Sequence, residues 1–370
     1  MGDVSVGAPR WNTLDGVRAM AVALVMATHF GLHAPQGQIG VDVFFVLSGF
    51  LITSLLLGER DRTHHVALVN FWKRRALRLF PALGCAIVLA LAVSFFATSA
   101  LRHSTVAGLP YVLAYVGNWG LLFGASHPGG LLAHTWSLAV EEQFYLVWPL
   151  IGVLWLCRTS NRRRAAQIIG IVAGFDALYF LISLTRWPPG RAIFGTDTHS
   201  FGLLAGSALA LWVFRDGRVA EIKVQSTRWL RLAGALAGML IVYFACFVHQ
   251  NVIVPAATLA GVLLIARLVL VPTGSLVNLF AWKPMQWVGR RSYGIYLYHY
   301  PFAVAFVEGK HLQGIHFVVV VTACIVTSIV LAAASFRWVE TPFLRRKNRL
   351  AASGSSTVQL ELVEVQAAAS

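Results

Sequence analysis

The sequence predicts an all-α protein, a polytopic transmembrane helical bundle that crosses the bilayer about ten times. Of the 370 residues, 57% are hydrophobic and only 12% are charged, whereas about a quarter of the residues of a soluble domain are charged. So few charges cannot cover a surface that faces water, and much of the surface must therefore face lipid. The apolar residues are also grouped in segments close to the roughly 20 residues that a helix needs to cross a membrane.

Ten apolar segments have the length and composition of membrane-spanning helices. The first contains Arg18 and His29 and is not followed by a cleavage site of small residues, so it is not a cleavable signal peptide. An eleventh stretch, near 107–124, is interrupted by proline, glycine and asparagine. The ten segments lie near 14–33, 38–58, 79–98, 137–157, 166–184, 199–214, 230–248, 252–271, 292–308 and 315–336.

The positions of lysine and arginine orient these segments. The connections at 59–78 and 158–164 are rich in both residues and are predicted to be cytoplasmic, so an even number of crossings separates them. The stretch at 107–124 is therefore predicted to be re-entrant or to lie at the surface. With both termini cytoplasmic, only four of the 30 cationic residues lie outside: Arg102, Arg186, Arg191 and Lys310. The net charge of +15 is a topology signal, and no nucleic-acid surface is predicted.

The domain organisation follows from these segments. Residues 1–13 are predicted to be a cytoplasmic segment, 14–349 the transmembrane domain, and 350–370 a disordered cytoplasmic tail rich in alanine and serine. The four cysteines lie in apolar runs without paired or metal-like spacing, so neither a disulfide framework nor a metal site is expected. Walker loops, Rossmann glycine patterns, HExxH motifs and nucleophile elbows are absent from the sequence.

Two ionisable residues in the first segment are the first functional candidates, because such residues are costly in a membrane and usually face an interior or a cavity. Arg18 and His29 are separated by roughly 16 Å along a helix and by close to three turns, so both can face one side. In the functional interpretation His29 is a general base and Arg18 binds an anion. In the alternative, Arg18 reaches the membrane interface and His29 is a structural histidine.

A cluster of cations precedes the third segment on its predicted cytoplasmic side. It consists of Lys73, Arg74, Arg75 and Arg78. Guanidinium groups pair well with phosphate oxygens, so this cluster is a candidate site for the phosphates of CoA. Ordinary anchoring of the helix end to lipid head groups is the alternative.

Two adjacent carboxylates, Glu141 and Glu142, lie near the predicted outer end of the segment at 137–157. They point about 100° apart on a helix, so one can face the interior. The inward carboxylate is predicted to orient His29, as a carboxylate orients an imidazole in a catalytic triad. The alternative is compensation of the helix dipole, with Ser137 as the N-cap.

Further polar residues are candidates for contact with an acceptor or for lining a channel. Asp42 and Asp197 lie near predicted outer helix ends, where they could contact an acceptor hydroxyl or simply cap a helix. Tyr296 and His299 share part of a helix face, and an aromatic belt is the alternative for the tyrosine. Asp176 lies in the middle of a segment and has no assigned partner.

Six segments in this order resemble the membrane acyltransferase family 3. They are 14–19 leading to His29, then 40–52, 71–81, 136–145, 293–299 and 340–343. The resemblance covers about 12–345, nearly the whole chain, and favours the functional interpretation of Arg18, His29, the arginine cluster and Glu142.

The resemblance implies a bacterial plasma-membrane enzyme with ten spans and a cytoplasmic acyl-CoA donor. Acetyl is the commonest acyl group in the family, and the acceptor is an extracytoplasmic or lipid-linked carbohydrate; no permanently bound cofactor is expected. Peptidoglycan, an exported polysaccharide, a glycolipid and a glycosylated metabolite remain alternatives. Some relatives carry a fused extracytoplasmic esterase-like domain. This chain is expected to lack one and either to transfer directly or to pass its acyl group to a separate protein.

The chain also departs from the family pattern. Many relatives carry arginine at the position of His199 and aspartate at that of Phe201, so acceptor contacts are expected to differ there. The segment 201–206 is similar to members that modify peptidoglycan. The rival hypothesis is a transporter or lipid flippase, in which Arg18, His29, Glu142 and Asp176 form a path and no acyl-CoA is consumed.

Overall fold

The computed structural model describes residues 12–123, 129–152, 161–214 and 224–343, and these ranges are all-helical. Residues 1–11 of the predicted N-terminal segment and the predicted disordered tail at 350–370 lie outside them. The α-helices are α1 (Asn12–His29), α2 (Ile39–Thr63), α3 (Leu68–Ser94), α4 (Ser99–Leu113), α5 (Gly117–Leu122), α6 (Trp136–Ile151), α7 (Arg162–Arg186), α8 (Pro189–Phe194), α9 (Phe201–Val213), α10 (Val224–Phe247), α11 (Val254–Leu270), α12 (Ser275–Phe280), α13 (Lys283–Phe306) and α14 (Gly314–Ser335).

Each of the ten predicted segments corresponds to one of these helices. Among the described helices, α2, α3, α7, α10, α11 and α14 are long and apolar enough to cross a membrane, which makes this a multi-pass membrane protein. The charged residues of α1 and α13 lower their mean hydropathy, and α6 and α9 have 16 and 13 described residues. The count of ten crossings and the sides of the termini therefore stay predictions.

The interrupted stretch at 107–124 falls on α4 and α5. These helices have 15 and 6 residues, and both are shorter than the roughly 20 residues that a crossing needs. Their lengths are compatible with the prediction that this stretch does not cross.

Helix α2 lies at the centre of the bundle. Its apolar window is 78% buried inside the protein, whereas the windows of α7, α10 and α14 are each 22% buried. The outward faces of these peripheral helices carry large apolar side chains such as Phe175, Met239 and Val319. This arrangement provides the apolar outer surface that a bilayer requires.

Glycines let the central helices approach closely. A β-carbon on Gly49 of α2 would lie 1.9 Å from the carbonyl oxygen of Leu203, and one on Gly206 of α9 would lie 2.0 Å from that of Val46. Small residues at such crossings allow close helix packing in membranes. Helix α2 is thereby packed directly against α9.

The crossing of α1 and α13 is also close, and it positions the site described below. A β-carbon on Gly289 of α13 would lie 1.7 Å from the carbonyl oxygen of Asp15 on α1. Only glycine, which has no β-carbon, allows the backbones of two helices to approach each other this closely. The two helices then run side by side from this crossing to His29 and His299.

Candidate functional site

The side chain of His29 at the end of α1 contacts His299 of α13, with Nδ1 of His29 2.9 Å from Nε2 of His299. Nδ1 of His299 lies 2.7 Å from the carbonyl oxygen of Tyr296. A carbonyl only accepts, so this nitrogen carries the proton. When both rings are neutral, Nε2 of His299 accepts from Nδ1–H of His29. Nε2 of His29 then keeps a free lone pair, which a general base needs.

The structure corrects the predicted partner of His29. Glu142 of α6 accepts hydrogen bonds from Nη2 of Arg75 at 2.8 Å and from Nε at 3.0 Å. The Arg75 guanidinium also stacks on the Tyr145 ring, 3.2 Å from its centroid. Because the ion pair with Arg75 engages the carboxylate, His299 and not Glu142 orients the His29 ring.

Glu141 faces a different neighbour from Glu142. The Ser48 hydroxyl on α2 donates to its carboxylate at 2.8 Å. The two adjacent acids therefore connect α6 to α2 and to α3, as their predicted angular separation on a helix allows. A catalytic role for either acid stays a prediction.

Three of the predicted donor-binding cations converge. Arg78 lies within electrostatic range of both Arg18 and Arg75. Arg18 forms an ion pair with Asp15 at 3.1 Å, whereas Arg78 makes no hydrogen bond or ion pair with any residue that the structure describes. The guanidiniums of α1 and α3 therefore lie around Arg78, which forms no direct ion pair within the described ranges, although the Glu340 carboxylate is also within electrostatic range of it.

The other two cations of the predicted cluster are separate from this group. Arg74 forms an ion pair with Glu59 of α2 at 3.3 Å. Lys73 is exposed on α3, as Arg78 is, but it is not among the charges that act most strongly on Arg78. If Arg74 and Lys73 contact the acyl-CoA donor as predicted, they must contact a part of the donor that lies away from Arg78.

Ser137 does not cap α6 as the structural alternative proposed. The N-cap position is Thr135, which makes no side-chain capping bond. The Tyr296 hydroxyl donates to the carbonyl oxygen of His134 at 2.6 Å, so the Ser137 hydroxyl, 2.7 Å from it, is the donor in their contact. Ser137 and Tyr296 therefore fix the start of α6 against α13.

His134 belongs to the same cluster, although the sequence predictions do not include it among the site residues. The residue is 3% exposed, and its ring stacks on Tyr300, with the centroids 4.5 Å apart. The His299 centroid is 5.7 Å away. Burial lowers the pKa of His134 well below its ordinary value, so the ring is neutral. Its place three residues before Ser137 is the sequence signal that could have identified it.

The histidine cluster does not have the arrangement of a metal centre. Among the residues described, no group of three or more His, Cys, Asp or Glu side chains is placed to hold a metal ion.

Asp42 and His199 form a second buried polar pair. Oδ1 of Asp42 is 2.7 Å from Nε2 of His199, and Nδ1 of the same ring donates to the Ile193 carbonyl at 2.6 Å. One proton must lie between Nε2 and the carboxylate, so the pair has no net charge whichever atom holds it. The Trp136 and Phe201 rings stack against the imidazole.

The remaining acidic candidates have partners outside the His29 cluster. Asp197 forms an ion pair with Arg191, and its side chain is 47% exposed. The Ser200 hydroxyl donates to Asp176 at 2.9 Å, which supplies the partner that the sequence left unassigned. Contact between Asp197 and an acceptor stays a prediction.

Comparison with known proteins places these residues in a family. A sequence profile described as "Acyltransferase domain" matches residues 11–337. The peptidoglycan O-acetyltransferase OatA of Listeria monocytogenes is 33% identical over 356 residues, which are 91% of this chain and 56% of that protein. The O-acetyltransferase OatA of Staphylococcus aureus is 33% identical over 355 residues, 90% of this chain and 57% of that protein.

This chain thus spans just over half the length of these relatives. No solved structure matches it significantly.

Proposed function

The chain belongs to the acyltransferase domain family, and we propose that it moves an acetyl group from acetyl-CoA to a hydroxyl of a cell-envelope glycan. The observation that carries this proposal is the geometry of His29, whose Nδ1 is engaged by His299 while Nε2 keeps its lone pair. The names of the relatives, which are peptidoglycan and other O-acetyltransferases, favour peptidoglycan as the acceptor.

The proposed reaction needs one base. Nε2 of His29 takes the proton of the acceptor hydroxyl as its oxygen bonds to the thioester carbonyl carbon. The C–S bond then breaks, and the thiolate takes the proton from His29 to give free CoA and the ester. A transient acyl group on His29 itself, passed on to the hydroxyl or to a separate extracytoplasmic protein, is the relay form of the same proposal.

The proposed donor site is the group formed by Arg18, Arg75 and Arg78. Phosphate oxygens of CoA would pair with the guanidinium of Arg78, which makes no hydrogen bond or direct ion pair with the residues described and has Glu340 within electrostatic range. Arg75 is already held by Glu142 and would contribute positive charge and position. With cytoplasmic termini, this group lies on the donor side and His29 toward the acceptor side.

The test uses the purified protein in lipid nanodiscs with radiolabelled acetyl-CoA and peptidoglycan fragments. Wild type is expected to release CoA and label the glycan, whereas His29→Ala should lose transfer but still bind acetyl-CoA. Arg78→Ala should weaken binding. His316→Ala, a change at an exposed histidine, is the matched control and should resemble wild type.

Wild type that neither binds nor consumes acetyl-CoA, with or without glycan, would overturn the proposal. Transport of an unmodified substrate would then be the function to assay. Full transfer by correctly folded His29→Ala would instead overturn the role of His29 as the base.

A further inference from the structure

His134 is a buried polar side chain without a well-formed hydrogen bond. Both of its ring nitrogens are shielded from water, and neither makes a direct hydrogen bond to any described residue; their contacts with the backbone carbonyls of Tyr296 and Leu297 are weaker. Burying a polar group in this way is unfavourable, so such a group calls for a specific reason. The mechanism above does not use His134 and supplies none.

The position of His134 connects it to the reacting centre. Its ring and that of His29 both contact Tyr300, with centroid distances of 4.5 Å and 4.9 Å. Both also pack near His299, at 5.7 Å and 5.1 Å. His29 and His134 therefore belong to one cluster of rings, together with His299 and Tyr300. A molecule that reacts at His29 is held beside this cluster.

The backbone of His134 is also held in place. Its carbonyl oxygen accepts the Tyr296 hydroxyl at 2.6 Å, and Ser137 supports that hydroxyl in turn. The side chain is thus fixed at its base and packed on Tyr300, while its nitrogens have only weak contacts with backbone carbonyls. This combination is what a preorganised donor requires, because a group already in place needs no reorientation during the reaction.

We propose that His134 is a further catalytic residue whose ring N–H donates to the carbonyl oxygen of the acyl group as it is attacked. This inference rests on the proposed function. Negative charge develops on that oxygen when the hydroxyl oxygen bonds to the carbonyl carbon. The oxygen loses this charge when the C=O double bond re-forms and the C–S bond breaks, with the bonding pair leaving on the thiolate sulfur. A neutral imidazole always carries one N–H, so His134 stabilises the charge without gaining or losing a proton.

The variant His134→Phe tests this role, because it keeps an aromatic ring against Tyr300 and removes the donor. We expect kcat to fall about 100- to 1,000-fold, the usual effect of losing one such donor. KM for acetyl-CoA should change little, since the bond strengthens only in the transition state. The melting temperature should stay the same or rise, because an unpaired polar group has been removed. His316→Phe is the matched control.

Each outcome has a distinct meaning. Wild type without acetyl transfer would overturn the proposed function and this inference with it. Active wild type together with a folded, equally active His134→Phe would overturn the inference alone. If His134→Phe does not fold, His134→Gln decides, because its amide retains an N–H. We expect this variant to keep at least about a tenth of the activity, and a folded but inactive His134→Gln would contradict the role.

Discussion

At the scale of single residues, the reactivity of His29 depends on which ring nitrogen carries the proton. His299 determines this because its own Nδ1 donates to a backbone carbonyl and leaves Nε2 as an acceptor. We expect His299→Phe to reduce kcat about 10- to 100-fold, as loss of an orienting partner usually does. KM for acetyl-CoA should be nearly unchanged. Steady-state CoA release by the folded variant is the measurement, and an unaltered kcat would show that His29 needs no orienting partner.

The ion pair between Arg75 and Glu142 leads to a second prediction. Glu142→Met leaves the mostly buried Arg75 without its counter-charge, and so should destabilise the fold by about 3 kcal/mol. The double variant Arg75→Met with Glu142→Met removes both charges and should melt at a higher temperature than Glu142→Met alone. Thermal unfolding of wild type, Glu142→Met, Arg75→Met and the double variant in one detergent tests this. Additive losses in the double variant would mean that the two side chains are not coupled.

At the scale of helices, the contact of α1 with α13 rests on one glycine. Gly289→Ala would place its β-carbon 1.7 Å from the backbone of Asp15, so the helices must separate. We expect a loss of about 1–3 kcal/mol, typical of overpacking, together with reduced transfer because His29 and His299 move apart. The melting temperature and CoA release are the readouts.

Gly84→Ala is the control for this substitution. Gly84 also lies in a helix interior, but a β-carbon there would meet no atom within 4 Å. Alanine is the better helix former, so this variant should be at least as stable as wild type. Equal melting temperatures for the two alanine variants would contradict the close crossing of α1 and α13.

The sequence predicts the positions of the helices better than it predicts which side chains of different helices contact each other. The apolar segments could be located because each helix buries its own residues or presents them to lipid, a property visible along the chain. The hydrogen-bond partner of His29 could not be assigned in this way. His299 is 270 residues away along the chain, and the Glu142 carboxylate was an equally reasonable candidate for orienting the imidazole. Only the packing of α1, α3, α6 and α13 decides which side chains meet.

The arginines show the same limit. Arg74 and Arg78 are four residues apart, and both lie on α3, which begins at Leu68 and not near the predicted start at 79. The contact with Glu59 on α2 separates Arg74 from the group around Arg78. The cluster of cations along the chain thus indicated an anion site. Contacts with the neighbouring helices determine which of these cations belong to it.

At the scale of the whole molecule, the proposed function requires a donor site and an acceptor site on opposite sides of the membrane. The predicted topology meets this requirement because it places the connection between α2 and α3 inside and that between α13 and α14 outside. His65 and Lys310 are exposed in these two connections. Cysteines introduced there can therefore report the two sides.

Labelling with a membrane-impermeant maleimide tests the topology in a variant whose four native cysteines are replaced by alanine. In intact bacterial cells Lys310→Cys should react, because the positive-inside rule places its connection outside. His65→Cys should react only after the cells are made permeable. Retained CoA release by the cysteine-free protein is the control for folding. Labelling of both cysteines in intact cells would mean an even number of crossings between them, where the predicted segments give an odd number, and would separate the arginine group from cytoplasmic acetyl-CoA.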